Sequence, residues 1–144
     1  MKPSSKECDN QNFSGGSHVP ASLLKLNLYY RLPLVAFCLL LFWQSSFPSL
    51  SSAPLFPHDD KLMHLGAYAF LAFLAARNIG QERPFFSRKK IGILALLFAV
   101  LYGLSDEIHQ AFVPARTASV WDFAADILGG FIGAGFYFNF FCKK

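Results

Sequence analysis

The sequence predicts an all-α polytopic membrane protein, folded as an antiparallel bundle of four transmembrane helices. Of its 144 residues, 53% are hydrophobic and only 15% are charged, which is too apolar for an ordinary soluble domain. The apolar residues, including many of the 17 Phe, gather in runs that are separated by short polar connections. Short connections between spans place neighbouring helices antiparallel.

The first 27 residues are polar and rich in Ser, Asn and Gly. Because such a segment cannot bury enough apolar surface to fold alone, the sequence predicts a flexible cytoplasmic tail over residues 1–27. Residues 28–144 are then expected to form the transmembrane domain.

A first helix is expected over residues 30–47, around the apolar run that ends at Trp43. Two interpretations of this run stay open. A basic start, a short apolar stretch and small residues at 51–53 also fit a cleaved signal peptide. Trp43 favours a retained helix, because Trp suits the membrane interface.

Three further helices are expected over residues 61–77, 89–110 and 119–141. Asp59 or Asp60 can cap the first of them by accepting a hydrogen bond from its free N–H groups. Each of the last two is long enough to cross a bilayer, at about 1.5 Å of rise per residue.

The fourth predicted helix carries two local signals. Ser119 and Asp122 form a capping-box-like pair at its start. Gly129 and Gly133 have the GxxxG spacing that lets helices approach closely, within a small-residue face that also contains Gly130 and Gly135. We expect this face to pack inside the bundle rather than to form a dimer, and the oligomeric state stays open.

The distribution of charge predicts the orientation. The connection between the second and third predicted helices and the C-terminal end are basic, whereas the other connections carry most of the carboxylates. Lys and Arg collect on the cytoplasmic side, so we expect a multi-pass protein of the cell membrane with both termini in the cytoplasm. The basic residues form no stripe on a soluble element, so membrane lipids and not nucleic acids are the expected partners.

Ionisable side chains cluster at the helix ends that face the outer surface in this topology. Asp126 lies seven residues after Ser119, roughly 10 Å into the helix, and a charge at this depth needs a partner. We therefore expect a polar pocket ringed by three helix ends and roofed by the Pro114–Arg116 connection. Its ligand-binding candidates are Lys61, His64, Gln110, Arg116 and Asp126, and its catalytic candidates are Asp106, Glu107 and Asp122.

The three catalytic candidates are able to act as general acid or base, or to hold a divalent cation. No metal site is predicted, because the sequence has no HExxH-like spacing and the possible ligands are scattered over three helices. The three cysteines match no metal-ligand spacing, and no cofactor is expected. A purely structural polar cluster is the alternative, and the sequence leaves open whether the protein is an enzyme.

In these motifs the sequence resembles the VanZ-like family of small membrane proteins. The resemblance runs from about Leu32 to Phe138 and rests on the order and spacing of short pieces. These are Ser45-Ser46 with Pro48, Asp60-Lys61 with His64 and Tyr68, Tyr102-Gly103 with Asp106-Glu107 and Gln110, Pro114 with Arg116, Ser119 with Asp122, and Gly129 with Gly133. Two positions depart from the family pattern, since Ala115 stands where Gly is usual and Asp126 where Asn is usual.

The resemblance implies a four-helix integral membrane protein. The family's founding member is associated with low-level resistance to the glycopeptide teicoplanin, so a link to such resistance is implied by resemblance alone. The residues themselves suggest a site that binds or acts on a lipid-linked phosphate of the cell envelope, held by Lys61, His64 and Arg116. The alternatives are a non-enzymatic membrane protein that contacts a partner, and a proton-coupled transporter that uses His64 and Asp126.

Overall fold

The computed structural model describes residues 21–47, 59–114 and 116–141. Helices are the only regular secondary structure within these ranges, which confirms the predicted all-α class. They are α1 (Ala21–Leu26), a π-helical turn (Asn27–Arg31), α2 (Leu32–Ser45), α3 (Asp59–Glu82), α4 (Arg88–Gln110) and α5 (Val120–Phe141).

Three continuous helical stretches among the described residues are long and apolar enough to cross a membrane. They are Leu23–Ser45, Asp59–Glu82 and Arg88–Gln110. A span needs about 20 predominantly apolar residues, and the 22 residues of α5 also reach that length. Together with the large apolar side chains left exposed on the outside of the bundle, these lengths fit a polytopic membrane protein.

The first and second predicted helices are longer in the structure than the sequence indicated. The first helical stretch begins at Ala21 rather than near Tyr30, so its start overlaps the predicted tail, whereas residues 1–20 lie outside the described part. Helix α3 continues to Glu82 instead of ending at Arg77. At the end of this extension, Glu82 Oε1 lies 2.6 Å from Arg31 Nε, a contact that sequence patterns do not reveal.

Helices α3 and α5 lie side by side and run in the same direction. Lys61 meets Asp122 at one end, and Ala69 meets Gly133 further along both helices. A Cβ atom added to Gly133 would collide with the backbone carbonyl of Ala69, and one added to Gly129 would collide with that of Leu65. The GxxxG pair is therefore used inside the bundle, as predicted, and it brings two helix backbones into direct contact.

Helix α4 runs in the opposite direction and packs against both α3 and α5. Gly103, near its C-terminus, lies beside Asp126, and Gly92, near its N-terminus, lies beside Phe138. The turn that reverses the chain is short, and the Ser87 side chain accepts a hydrogen bond from Lys90 N at the start of α4. This arrangement places the last turn of α4 next to the first turns of α3 and α5.

Helix α2 covers one side of this three-helix unit. Leu41 packs in a buried cluster with Tyr68, Leu71, Ala72 and Ala99. Tyr102 Oη donates a 2.5 Å hydrogen bond to the carbonyl oxygen of Cys38, which ties α2 to α4. Most other side chains of α2 face outward, so this helix is the least enclosed part of the bundle.

Replacing Gly133 by Ala is expected to destabilise the bundle, because the backbone carbonyl of Ala69 cannot move aside as a side-chain end can. Overpacking of this kind costs about 1–3 kcal/mol. The measurement is thermal unfolding of the purified protein in detergent. Gly135→Ala is the matched control, since a Cβ there has nothing within 4 Å. Equal loss of stability in both variants would contradict the α3–α5 packing.

Candidate functional site

The N-termini of α3 and α5 and the C-terminus of α4 meet at one end of the bundle, which we call the polar end. All the predicted site residues lie there: Lys61, His64, Asp106, Glu107, Gln110, Arg116, Asp122 and Asp126. The buried ones are Asp106, Glu107, Gln110, Asp122 and Asp126. The chain direction of α4 is what brings its residues to the others, while the role of each residue stays a prediction.

Lys61 joins α3 to α5 through an ion pair. Its Nζ lies 3.0 Å from Asp122 Oδ1 and 2.9 Å from Asp60 Oδ2. The Asp122 side chain is 11% exposed and the Asp60 side chain 55% exposed, so the pair with Asp122 is the less screened of the two. Lys61 is therefore already engaged by two carboxylates.

Asp126 is the most deeply buried ionisable group among the described residues, with no exposed surface. Its Oδ1 lies 2.9 Å from His64 Nδ1. With Asp126 ionised, its carboxylate only accepts hydrogen bonds, which assigns a ring proton to Nδ1 and leaves Nε2 as the second nitrogen. Asp126 fits beside α4 because Gly103 has no side chain: a Cβ there would lie 2.8 Å from Asp126 Oδ2.

Glu107 caps the start of α5 from a neighbouring helix. Its Oε2 accepts a 2.7 Å hydrogen bond from the backbone N–H of Ser119. The predicted capping box is therefore only half formed. Ser119 Oγ accepts from Asp122 N at 3.4 Å, but the Asp122 carboxylate turns to Lys61 instead of back to Ser119 N. A carboxylate at a helix N-terminus is also favoured by the helix dipole.

Asp106 and Gln110 contact each other one turn apart on α4. Gln110 Nε2 donates a 3.0 Å hydrogen bond to Asp106 Oδ2. Both side chains are buried, and the described residues give Asp106 no cation within ion-pair distance. The Gln110 amide is thus the side-chain partner of Asp106.

Arg116 holds the end of α2 and forms no ion pair with a described carboxylate. Its Nε donates to the carbonyl oxygen of Phe47 at 2.9 Å, and its Nη2 donates to that of Gln44 at 3.0 Å. Carbonyl groups at a helix C-terminus lack partners within the helix, and an Arg side chain can satisfy them. The neighbouring Ala115 lies outside the described residues.

A small cavity opens at the polar end between α2 and α3, and its volume is about 80 Å³. Its lining includes the apolar residues Leu41, Met63 and Ala67 together with Tyr68. The polar and charged residues of the lining are Gln44, Ser45, His64, Asp106, Gln110 and Arg116. The cavity therefore presents both kinds of surface at a place where α2 packs only lightly.

Several buried polar atoms at the polar end have no hydrogen-bond partner among the described residues. Ser45 Oγ and Tyr68 Oη belong to residues that line the cavity, whereas Glu107 Oε1 and Asp126 Oδ2 belong to residues outside its lining. Buried polar atoms are usually paired, and an unpaired one costs about 1–3 kcal/mol. The hydrogen-bond network of the polar end is thus incomplete without a further molecule or ion.

Sequence reasoning missed the contribution of α2 and of Gly103. Gln44 and Ser45 line the cavity, but uncharged residues at the end of an apolar run give no strong chemical signal. Ser46 Oγ lies 3.1 Å from His109 Nε2, which fixes the same helix end from α4. The Ser45-Ser46 and Tyr102-Gly103 pieces of the resemblance were the available signal for these positions.

A protein-family model described as VanZ/LLP1 matches residues 27–141, which is well over half of the chain. No curated protein and no solved structure matches the chain. The matched range contains all of α2 to α5 and every residue of the polar end.

Lys61→Met is expected to destabilise the protein, because it leaves the largely buried Asp122 without its closest cation. Lys61→Met combined with Asp122→Asn should cost less than the sum of the two single changes, with an interaction energy of about 0.5–3 kcal/mol. Since the Lys61 side chain is 31% exposed, we expect the lower part of that range. Thermal unfolding of the three variants in detergent measures it.

Asp60→Asn is the control for this cycle, because Asp60 pairs with the same Lys61 but is exposed. It should change stability by less than about 0.5 kcal/mol. Strictly additive losses for Lys61 and Asp122 would show that their contact contributes nothing to the α3–α5 packing.

Proposed function

Because the chain belongs to the VanZ/LLP1 family, we propose that it is a membrane protein whose cavity at the polar end binds the phosphate head group of a lipid-linked molecule of the cell envelope. The observation that carries the proposal is the amphipathic lining of a cavity between two spans. A lipid-linked phosphate needs polar donors for its head and an apolar surface for its chain. In this cavity Arg116 offers the polar donors for the head, and Leu41 and Met63 offer the apolar surface for the chain.

Arg116 is the cation best able to reach such a head group. A guanidinium has five N–H donors, and two of those of Arg116 are used by the carbonyl oxygens of Phe47 and Gln44. The remaining donors are available to an anion in the cavity that Arg116 lines. Lys61 is less suited to this role, since Asp60 and Asp122 already neutralise it.

The size of the cavity limits what enters it. Sites for drug-sized ligands measure about 300–1,000 Å³, whereas this cavity measures about 80 Å³. It accommodates a head group of phosphate size and excludes a whole glycopeptide or disaccharide. In our proposal the remainder of the ligand therefore lies along the exposed side of α2 and α3, in contact with membrane lipid.

The proposed orientation follows from charge. The connection that joins α3 to α4, at the end of the bundle opposite to the cavity, contains Arg83 and is followed by Arg88, Lys89 and Lys90. The positive-inside bias puts this end in the cytoplasm. The cavity then faces the outer surface of the cell membrane, and both termini lie in the cytoplasm.

A second candidate function is favoured by the number of contacts already made at the polar end. Lys61, His64, Glu107 and Arg116 each have at least one partner within the protein. A cluster that only stabilises the bundle, in a non-enzymatic protein that contacts a partner, would look similar. The open cavity and the unpaired hydroxyl of Ser45 favour the ligand site instead.

The proposal also covers the type of activity at the polar end and a contribution to glycopeptide resistance. The proposed activity is binding, and general acid or base roles for Asp106, Glu107 and Asp122 stay predictions. A contribution to glycopeptide resistance is proposed from the family resemblance alone. It would act through the bound envelope precursor, since the cavity is too small for the antibiotic itself.

Arg116→Gln is expected to weaken binding of a polyprenyl phosphate by about tenfold or more, because a hydrogen bond to a charged group contributes about 1.5–3 kcal/mol. Ser45→Ala should weaken it less and should not lower stability, since the Ser45 hydroxyl has no partner among the described residues. Native mass spectrometry of the purified protein with a polyprenyl phosphate and with the uncharged polyprenol measures both.

Arg83→Gln is the matched control, because it removes the same charge from the exposed connection between α3 and α4. It should bind the phosphate as the unmodified protein does. If the phosphate and the uncharged alcohol bind equally well, or if neither cavity variant weakens binding, the cavity does not hold a phosphate head group.

A further inference from the structure

Three possible metal ligands from three different helices come together at the polar end. His64 of α3, Glu107 of α4 and Asp122 of α5 each offer one ligand atom, and these atoms all lie within 4.8 Å of one another. We propose that the three residues form a binding site for one divalent cation of the class that accepts both imidazole nitrogen and carboxylate oxygen, such as Mn²⁺ or Zn²⁺.

Each of the three side chains keeps an atom for this purpose after its contacts within the protein. Glu107 uses Oε2 to cap α5, while its Oε1 has no partner although the residue is only 7% exposed. Asp122 uses Oδ1 to pair with Lys61, which leaves Oδ2. An almost fully buried carboxylate oxygen without a partner is costly, and a bound cation would remove that cost.

The contact between His64 and Asp126 is of the kind that supports a metal-bound histidine. A metal-ligating His usually donates its other ring N–H to a carboxylate, which fixes the tautomer and the ring orientation. His64 Nδ1 faces Asp126 Oδ1 at 2.9 Å, so Nε2 is the nitrogen left for a metal. Asp126 is fully buried, which makes this orientation rigid. Asp126 is thus a positioning residue of the proposed site.

The charge balance at this end also favours a cation. Glu107, Asp122 and Asp126 bring three carboxylates together, and Lys61 is the one Lys or Arg side chain in ion-pair contact with them among the described residues. Asp60 adds a further carboxylate on the exposed side of Lys61. A divalent cation would offset the remaining negative charge, although Lys61 lowers the affinity by repulsion.

The donor set decides the class of cation. Ca²⁺ and Mg²⁺ prefer oxygen ligands throughout, whereas Mn²⁺ and Zn²⁺ accept a mixture of imidazole and carboxylate. Ligand atoms about 2.1 Å from a metal at tetrahedral angles are roughly 3.4 Å apart. One ligand atom from each residue lies within 4.8 Å of the other two, so a bound cation requires side-chain shifts of about 1 Å and rotations that present the free atoms, with water completing the coordination.

Cation binding does not depend on the proposed lipid function, because it involves only the protein and the metal. It is tested by titrating Mn²⁺ into the full chain, purified in detergent and freed of metal by a chelator that is then removed. The sharp electron paramagnetic resonance signal of free Mn²⁺ should disappear until one ion is bound per chain. Pulsed measurements should detect the nitrogen of an imidazole ligand, and His64→Gln should abolish that coupling.

Glu107→Gln is the central variant, since its side-chain carbonyl still accepts the hydrogen bond from Ser119 N while the negative charge is lost. It should weaken Mn²⁺ binding by at least about tenfold, because even changes to outer-shell partners cost 10–100-fold. Asp60→Asn removes the same charge beside Lys61 but outside the ligand group, and it should bind nearly as the unmodified protein does. Lys61→Met should bind Mn²⁺ more tightly.

The outcomes separate a metal site from a general loss of structure. The absence of saturable Mn²⁺ and Zn²⁺ binding by the folded, unmodified protein would overturn the proposal without any variant. Equally weakened Mn²⁺ binding in Glu107→Gln, Asp60→Asn and Lys61→Met would also overturn it. The proposed site requires weaker binding in Glu107→Gln, nearly unchanged binding in Asp60→Asn and tighter binding in Lys61→Met. If Glu107→Gln does not fold, Asp122→Asn takes its place, with the same expected loss.

Discussion

The close approach of α3 and α5 is the constraint on which the rest of the structure depends. Gly129 and Gly133 let the two helix backbones touch, which is closer than any pair of larger residues would allow. Along the same interface, Lys61 Nζ lies 3.0 Å from Asp122 Oδ1. A membrane offers little hydrophobic force between helices, so packing and polar contacts must hold them together. Here the glycine packing and the Lys61–Asp122 ion pair both act along the interface between α3 and α5.

The polar end follows from chain direction as much as from composition. Because α3 and α5 are parallel and α4 is antiparallel to them, two helix N-termini meet one helix C-terminus. This meeting of helix ends lets Glu107 of α4 cap the N-terminus of α5. The same convergence concentrates carboxylates beside one lysine, leaves the buried Glu107 Oε1 without a partner, and leaves a cavity next to the lightly packed α2. The proposed ligand binding and the proposed cation binding both depend on this one arrangement.

The sequence predicted the class, the number of long helices and the end at which polar residues gather, because apolar length and the position of charges determine these. It did not predict which groups would pair. Arg116, a ligand-binding candidate from the sequence, donates to the carbonyl oxygens of α2, and backbone acceptors are invisible in a sequence pattern. The predicted absence of a metal site rests on wide sequence spacing and stays a prediction, while the bundle brings ligand atoms of His64 and Asp122 within 4.8 Å of each other.

Helices α3 and α5 join the imidazole of His64 and the buried carboxylate of Asp126 within the membrane bundle. Solid-state NMR in lipid bilayers, with ¹⁵N-labelled His and ¹³C-labelled Asp carboxyl groups, measures this directly, and the Asp126→Asn variant assigns the signal. Given 2.9 Å between His64 Nδ1 and Asp126 Oδ1, the account predicts a nitrogen-to-carboxyl-carbon distance below about 4 Å. A distance beyond about 6 Å would contradict both the pairing and the helix packing that produces it.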